Sequence, residues 1–175
     1  FMIPRTLSSH ILRMTKIFPV VSLTGPRQSG KTTLVKALFP EYGYINLENL
    51  DDRSAAVEDP KGFLRSYRKD GVIIDEAQKV PELFSYLQGI VDESGEMGKY
   101  LLTGSQNFLL LENITQSLAG RVAVTHLLPF GLDELTDIIF TAETDLDHVL
   151  FSGMYPPLYD REMEAPDFYP SYLQT

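Results

Sequence analysis

The chain has 175 residues, carries 24 acidic against 15 basic side chains for a net charge of −9, and is 43% hydrophobic. That is the length of one ordinary domain and the composition of a globular chain, which excludes a disordered or fibrous protein. The absence of cysteine excludes disulfides and thiolate metal sites, and it fits the reducing cytoplasm, the location expected here.

The charge is unevenly spread. Basic residues outnumber acidic ones 6 to 2 over residues 1–50, but are outnumbered 11 to 7 over 51–100 and 11 to 2 beyond residue 100. An acidic body repels phosphate backbones, so nucleic-acid binding through this segment alone is not expected. No stretch approaches the roughly 18 apolar residues that a membrane helix needs. The opening FMIPRTLSSHILRMTKIFPVV is broken by Arg5, Arg13 and Lys16, so no secretory leader is expected.

In chain order, Leu7, Ile11, Leu12 and Met14 recur at helical spacing within residues 5–17. FPVVSLT is compact, β-branched and apolar, as a buried parallel strand is. GKTTLVKALF continues as a helix with Leu34, Ala37 and Leu38 on one face, stopped by Pro40. YGYINLE is a second short strand, and the polar run DDRSAAVEDPKGFLRSYRK is helical on either side of Pro60. GVIIDEA is a third strand that ends in acid. Residues 81–93 form a helix opened by Pro81, with Leu83, Leu87, Ile90 and Val91 on one face.

KYLLTGS is a fourth strand, NFLLLENITQSLAG a helix closed by Gly120, and VAVTHLL a fifth strand; GLDELTDIIF and DLDHVLFSG have helical spacing. From Tyr155 onward, prolines at 156, 157, 166 and 170 break any regular pattern. Apolar strands alternating with helices predict an α/β fold, a parallel sheet sandwiched by helices. Residues 1–18 are read as an N-terminal helix, 19–150 as the core, and 151–175 as a linker or the start of a further domain.

Gly25-Pro26-Arg27-Gln28-Ser29-Gly30-Lys31-Thr32 fits the phosphate-loop pattern G-x-x-x-x-G-K-[ST] without a mismatch. The glycines let successive amide N–H groups turn inward on a nucleoside triphosphate, and the helix that follows aims its positive end at the same charge. Lys31 reaches the β- and γ-phosphates, the Thr32 hydroxyl ligates Mg²⁺, and Thr33 continues the first turn. Arg27 is either a phosphate or neighbouring-subunit contact or a solvated loop arginine.

The run Val72-Ile73-Ile74-Asp75-Glu76 ends a strand in two carboxylates, 44 residues beyond Lys31, at the sheet rim where ligands bind in open α/β folds. Asp75 is assigned to Mg²⁺, through a coordinated water, and Glu76 to orienting the water that attacks the γ-phosphorus. After the fourth strand, Thr103, Ser105, Gln106 and Asn107 all qualify as a polar group touching that water or phosphate, and Ser105 is the choice. Arg121, after SLAG, approaches a nucleotide in cis or in trans as an arginine finger, or ends a helix in a local salt bridge. The three histidines are far apart and suggest no metal site.

SLTGPRQSGKTTL, VIIDEAQKVPELF, LLTGSQNFLLL and SLAGRVAVTHLLPFGLDEL, in that order, resemble the prokaryotic AAA-family ATPases fused to a C-terminal restriction-endonuclease-like domain of unknown function. The resemblance covers residues 5–160. It implies an additional-strand, catalytic-glutamate P-loop core with five strands ordered 5-1-4-3-2. It also implies ATP and Mg²⁺ as cofactors, with the loop lysine and hydroxyl at Lys31 and Thr32, the acidic pair at Asp75 and Glu76, a sensor in TGSQ and an arginine at Arg121. Family chains pass through a GGYP-like segment into their second domain; the match here is SGMYP, residues 152–156. The sequence is therefore read as mainly the ATPase part of a longer protein.

The expectation is an ATPase whose hydrolysis drives a conformational switch, with a homo-oligomer or partner protein as its target. A nucleotide-dependent regulator of DNA or protein with little hydrolysis is the alternative. A P-loop small-molecule kinase is a third, but with only Arg121 and Arg161 as basic residues beyond 100, an arginine-bearing lid is poorly supplied.

Overall fold

The computed structural model describes residues 3–67, 69–105, 112, 114, 116–136, 146–161 and 163–174. Strands β1 (Val20–Gly25), β2 (Gly43–Asn46), β3 (Val72–Asp75), β4 (Tyr100–Ser105) and β5 (Val122–His126) form one sheet in the order β2-β3-β4-β1-β5. Every pairing is parallel. This is the expected α/β P-loop architecture in the expected strand order, with the third and fourth strands inserted between second and first.

Strand alternation sends successive side chains to opposite faces, and both faces are apolar. Val20, Ile74, Tyr100 and Leu102 pack on one side with Ala56, Leu64, Leu83, Phe84, Leu87 and Ile90. These come from α3 (Leu50–Glu58), α4 (Pro60–Ser66) and α5 (Glu82–Ser94). Val21, Leu23, Ile73 and Leu101 face the other way, onto Ile11 of α1 (Leu7–Met14) and Leu34 and Val35 of α2 (Lys31–Leu38). A sheet buried on both faces explains why these strands lack a polar alternation.

Helix ends follow local chemistry. The Asn49 side chain accepts from the Asp51 amide to start α3, and Asp59 accepts from the Gly62 amide to start α4, with Pro60 in its first turn. Gly95, at φ +62°, closes α5. Half of the predicted helix over 107–120 lies outside the described residues, as do Gln106, Asn107 and residues 137–145 entirely. Ile114 and Leu118 of that stretch are buried in the first core cluster.

One expectation is corrected. The proline-rich tail is not irregular: after α6 (Leu146–Ser152) come α7 (Pro156–Asp160) and α8 (Ala165–Leu173). Pro156 and Pro166 fall in first turns, where a missing N–H costs nothing. Tyr155, Phe168, Tyr169 and Tyr172 join in an aromatic cluster. Nor is this segment remote from the sheet, since the Phe130 amide donates to the Met154 carbonyl at 2.8 Å and the Phe130 and Tyr159 rings meet edge-on.

Because all strands run the same way, Gly25, Asn46, Asp75, Ser105 and His126 end on a single rim. The polar groups discussed next are gathered there.

Candidate functional site

The turn between β1 and α2 is shaped by backbone needs at three positions. A Cβ built on Gly25 would stand 2.1 Å from the Leu127 carbonyl oxygen, so the residue after β5 permits only hydrogen there. Gly30, at φ +90°, would seat a Cβ in ordinary contact with Arg5 and Pro156, at 3.7 and 3.8 Å, and is required by its conformation instead. Gln28 takes φ +58° without being glycine, a strained choice that clusters at functional turns. Pro26 is half-buried, Arg27 and Gln28 are exposed, and Ser29 is fully buried.

Lys31 is buried and bends back into the turn, its Nζ donating to the carbonyls of Gly25 at 3.0 Å and Pro26 at 2.7 Å. Burial pushes the ammonium below its ordinary pKa, opposed by the Glu76 and Asp75 carboxylates. The first-turn amides of α2 have no acceptor within the helix, so turn and helix end present donors to the same space. That space is an open cleft of about 900 Å³ walled by Arg27, Gln28, Lys31, Thr32, Glu48, Asp75 and Glu76.

Asp75 is buried at the end of β3 and is the hub of the cleft. Its Oδ2 accepts from Thr32 Oγ1 at 2.8 Å and from the Tyr44 phenol at 2.9 Å. Its Oδ1 accepts from the Glu76 amide at 3.1 Å and from the Thr103 hydroxyl. Burial and the Asp75 carboxylate push the Tyr44 phenol above its ordinary pKa, keeping it a proton donor. Glu76 sits in the left-handed region at φ +54°, and its carboxylate accepts from the Gln78 side-chain amide.

The oxygen pair of Thr32 and Asp75 fits a hard divalent cation. Among the described residues no group of three or more His, Cys, Asp or Glu side chains converges on one point. A cation held by few protein oxygens, with phosphate and water completing its shell, is the usual Mg²⁺ arrangement.

The structure brings together Lys31, Thr32, Asp75 and Glu76 on one cleft. Ser105, half-buried at the end of β4, lies opposite Gly25 in the ladder. The β4 hydroxyl that contacts the acidic pair is that of Thr103, which is fully buried. Thr103 is thus the β4 hydroxyl on Asp75, while Ser105 ends β4 beside the phosphate loop. The sheet register accounts for it, since Ile74 pairs with Leu102 and the next step sets Thr103 against Asp75.

Arg121 is not brought to the cleft of its own chain. It precedes β5 at the opposite rim of the sheet, where its carbonyl accepts from the Val20 amide. The length of β1, roughly 16 Å at 3.3 Å per residue, separates that rim from the turn. Its guanidinium pairs with Asp92 of α5, Nε to Oδ1 at 2.6 Å and Nη2 to Oδ2 at 2.8 Å, which holds the Asp92 carboxyl below its usual range. The in-cis alternative is corrected on this geometry.

Sequence reading missed Arg5. Its buried guanidinium donates to the Ser29 carbonyl at 2.9 Å, to the Leu128 carbonyl at 2.7 Å and to Glu134 Oε2 at 3.1 Å, and it lies 4.6 Å from the Phe130 ring centroid. Burial works against the Glu134 charge, but the Gly131 and Thr6 amides and Arg5 outweigh it and hold the carboxyl below its usual range. A partner 129 residues away leaves no local signal. Beside this network a second, narrow cleft with a free volume of about 30 Å³ opens between Ile3, Thr33 and Leu34 of α2, Phe130, Pro156 and Asp160. Tyr44, Glu48 and Gln78 were likewise missed; alternation on a four-residue strand marks no one residue.

A family model described as an AAA domain matches residues 18–136. Two curated relatives are uncharacterised proteins, Rv2008c of Mycobacterium tuberculosis and Mb2031c of Mycobacterium bovis, each 38% identical over 131 residues. The match takes in 70% of this chain but 28% of each relative, so the chain spans under a third of their length.

Among solved structures, the Walker-type ATPase PABY2304 of Pyrococcus abyssi aligns over 99% of this chain and 72% of its own, at TM-score 0.61 and 18% identity. AMPPCP-bound DnaA from Aquifex aeolicus aligns over 89% and 57%, at TM-score 0.57 and 13% identity. Domain III of the replication initiation protein DnaA from Thermotoga maritima aligns over 79% and 69%, at TM-score 0.51 and 19% identity. At such identities these likenesses speak to the fold. No helix among the described residues is long and apolar enough to cross a membrane.

Proposed function

The chain belongs to the AAA domain family, and from that premise we propose that it is an ATP-binding, Mg²⁺-dependent ATPase whose hydrolysis drives a conformational switch in an attached or partner domain. The observation that carries the reading is the hydrogen bond from Thr32 to Asp75 across the mouth of the phosphate loop, with Lys31 and Glu76 on the same cleft.

In this reading the loop amides and the first turn of α2 bind the β- and γ-phosphates. Lys31 exchanges the Gly25 and Pro26 carbonyls for phosphate oxygens, whose negative charge favours the ammonium that burial opposes. Thr32 and Asp75 hold Mg²⁺, which when bound neutralises phosphate charge and polarises the γ-phosphoryl group. Glu76, released from Gln78, orients the attacking water and accepts its proton. The cleft between Phe130, Pro156 and Thr33, with about 30 Å³ free, widens to take the base and ribose. Since Pro156 and Asp160 wall that cleft, nucleotide occupancy is felt by residues 151–175, and through them by the C-terminal restriction-endonuclease-like domain that the sequence resemblance implies.

Slow turnover in isolation, or a nucleotide-dependent regulator with little hydrolysis, is the second reading. It is supported by the Glu76 carboxylate tied to Gln78 and by Arg121 paired with Asp92 away from the cleft. The two readings separate by phosphate release from Mg²⁺–ATP beside calorimetric binding. Binding with release supports the ATPase, binding without release the regulator, and a phosphorylated small molecule in place of free phosphate a kinase. Absence of binding by wild type, with Lys31→Ala indistinguishable from it, overturns the assignment.

A further inference from the structure

Tyr44 is the one group on Asp75 that comes from an edge strand. Its phenol shares Oδ2 with the Thr32 hydroxyl, while Oδ1 accepts from Thr103 and the Glu76 amide. An ionised carboxylate offers about four lone-pair positions, so these four donors fill Asp75. The tyrosine ring is itself held: Lys36 of α2 sets its ammonium 3.3 Å from the ring centroid, a cation–π contact that pins the ring to the helix carrying Thr32. The ladder fixes the reach, because Asn46 pairs with Asp75 and Tyr44 stands two residues earlier, on the same face of β2 as Asn46.

We propose that Tyr44 is a positioning residue for the metal carboxylate, holding Asp75 Oδ2 so that the lone pair given up by Thr32 faces the cleft. The inference rests on the nucleotide-site reading above. Of the two hydroxyls on Oδ2, only Thr32 belongs to the metal pair. A Thr32 oxygen turned toward a cation would withdraw its hydroxyl proton from Oδ2, opening a single acceptor position there. Tyr44 remains, so the carboxylate keeps its plane. Without the phenol, both Oδ2 positions open together and only the donors on Oδ1 restrain the group. A neutral donor suits this task, because a lysine or arginine at the same place would repel the cation it helps to seat.

Hydrogen bonds to a ligating carboxylate are typically worth 10- to 100-fold in metal affinity. The test is calorimetric titration of a non-hydrolysable ATP analogue into wild type and Tyr44→Phe, in EDTA and across a Mg²⁺ series. The expected result is unchanged affinity in EDTA, with the Mg²⁺ concentration for half-maximal enhancement raised about 10-fold in the variant. The EDTA arm also serves as the folding control for a substitution that removes one oxygen atom. A Mg²⁺ midpoint within twofold of wild type overturns the proposal. So does an equal loss of affinity in EDTA, which would make Tyr44 a support of the cleft in general. Failure of wild type to bind the analogue under any condition sinks the nucleotide-site reading itself, a result distinct from both.

Discussion

Thr32 and Asp75 stand 43 residues apart and meet in a 2.8 Å hydrogen bond, Thr32 Oγ1 donating to Asp75 Oδ2. The contact joins the first turn of α2 to the end of β3 and brings two hard oxygens together. Asp75→Asn keeps the shape and removes the charge. It is expected to leave binding of ATP in EDTA within a few-fold of wild type, to abolish the Mg²⁺ enhancement, and to lower turnover by about 100-fold or more, as loss of metal stabilisation does. Equal Mg²⁺ dependence in variant and wild type would remove Asp75 from metal binding.

Glu76 holds a left-handed backbone immediately after that carboxylate, a conformation costing of order 1 kcal/mol in a non-glycine residue. The strain turns its side chain to the cleft and to Gln78. Glu76→Gln preserves length and backbone, so nucleotide affinity should stay nearly constant while turnover falls by about 100-fold or more. Parallel phosphate-release assays on the two proteins check this, and matching rates would exclude Glu76 as the base.

Gly25 and Gly30 begin and end the same motif for different physical reasons, which substitution by alanine separates. At Gly25 a Cβ meets the Leu127 carbonyl at 2.1 Å, and the backbone of β1 or of the segment after β5 has to move. Gly25→Ala should lose about 2–3 kcal/mol in denaturant unfolding. Gly30→Ala meets nothing within 3.7 Å and bears only the left-handed strain, about 1 kcal/mol. Comparable losses for the two would contradict the distinction.

The parallel sheet and the cleft were readable in the sequence because they depend on local signals: apolar runs for a doubly covered sheet, and glycines, lysine and carboxylates at fixed offsets for the rim; the strand order came only from the family resemblance. The supports of the site were not. Thr103 is selected over Ser105 by ladder register, a property of two strands rather than of either. Arg5 reaches Ser29 and Glu134 through tertiary approach alone. Pro156, Pro157 and Pro166 misled because proline is a breaker inside a helix but a neutral first-turn residue at its start, and Pro170 lies within α8 without ending it. Only the aromatic packing of Tyr155 with Phe168 and Tyr172 tells which applies.

The Arg5–Glu134 pair ties the N-terminal segment to the phosphate loop and to the turn after β5. Glu134 titrates below its usual value of about 4.5 in the folded chain, so its contribution is present above that pH and is lost as the pH falls through the lower folded value. Glu134→Gln should cost about 1–3 kcal/mol at pH 7. The gap between variant and wild type should narrow on acidification below about pH 4.5. Urea unfolding at a series of pH values measures the gap, and a constant gap down to pH 3 would show that charge is not what the pair contributes.

Arg121 pairs with Asp92 at the sheet rim remote from its own phosphate loop, so any role at a nucleotide is played on a second copy. Both side chains are partly exposed, and an exposed pair contributes little to stability, leaving the guanidinium free to exchange partners at modest cost. If it completes a neighbour's site, the ATPase rate per subunit should rise with protein concentration. Arg121→Ala should flatten that rise and lower the plateau by about 1,000-fold, the lower range for an arginine finger, with nucleotide affinity of the isolated chain unchanged. A specific rate independent of concentration in wild type, or an Arg121→Ala protein with an unaltered plateau, would assign Arg121 to the surface pair alone.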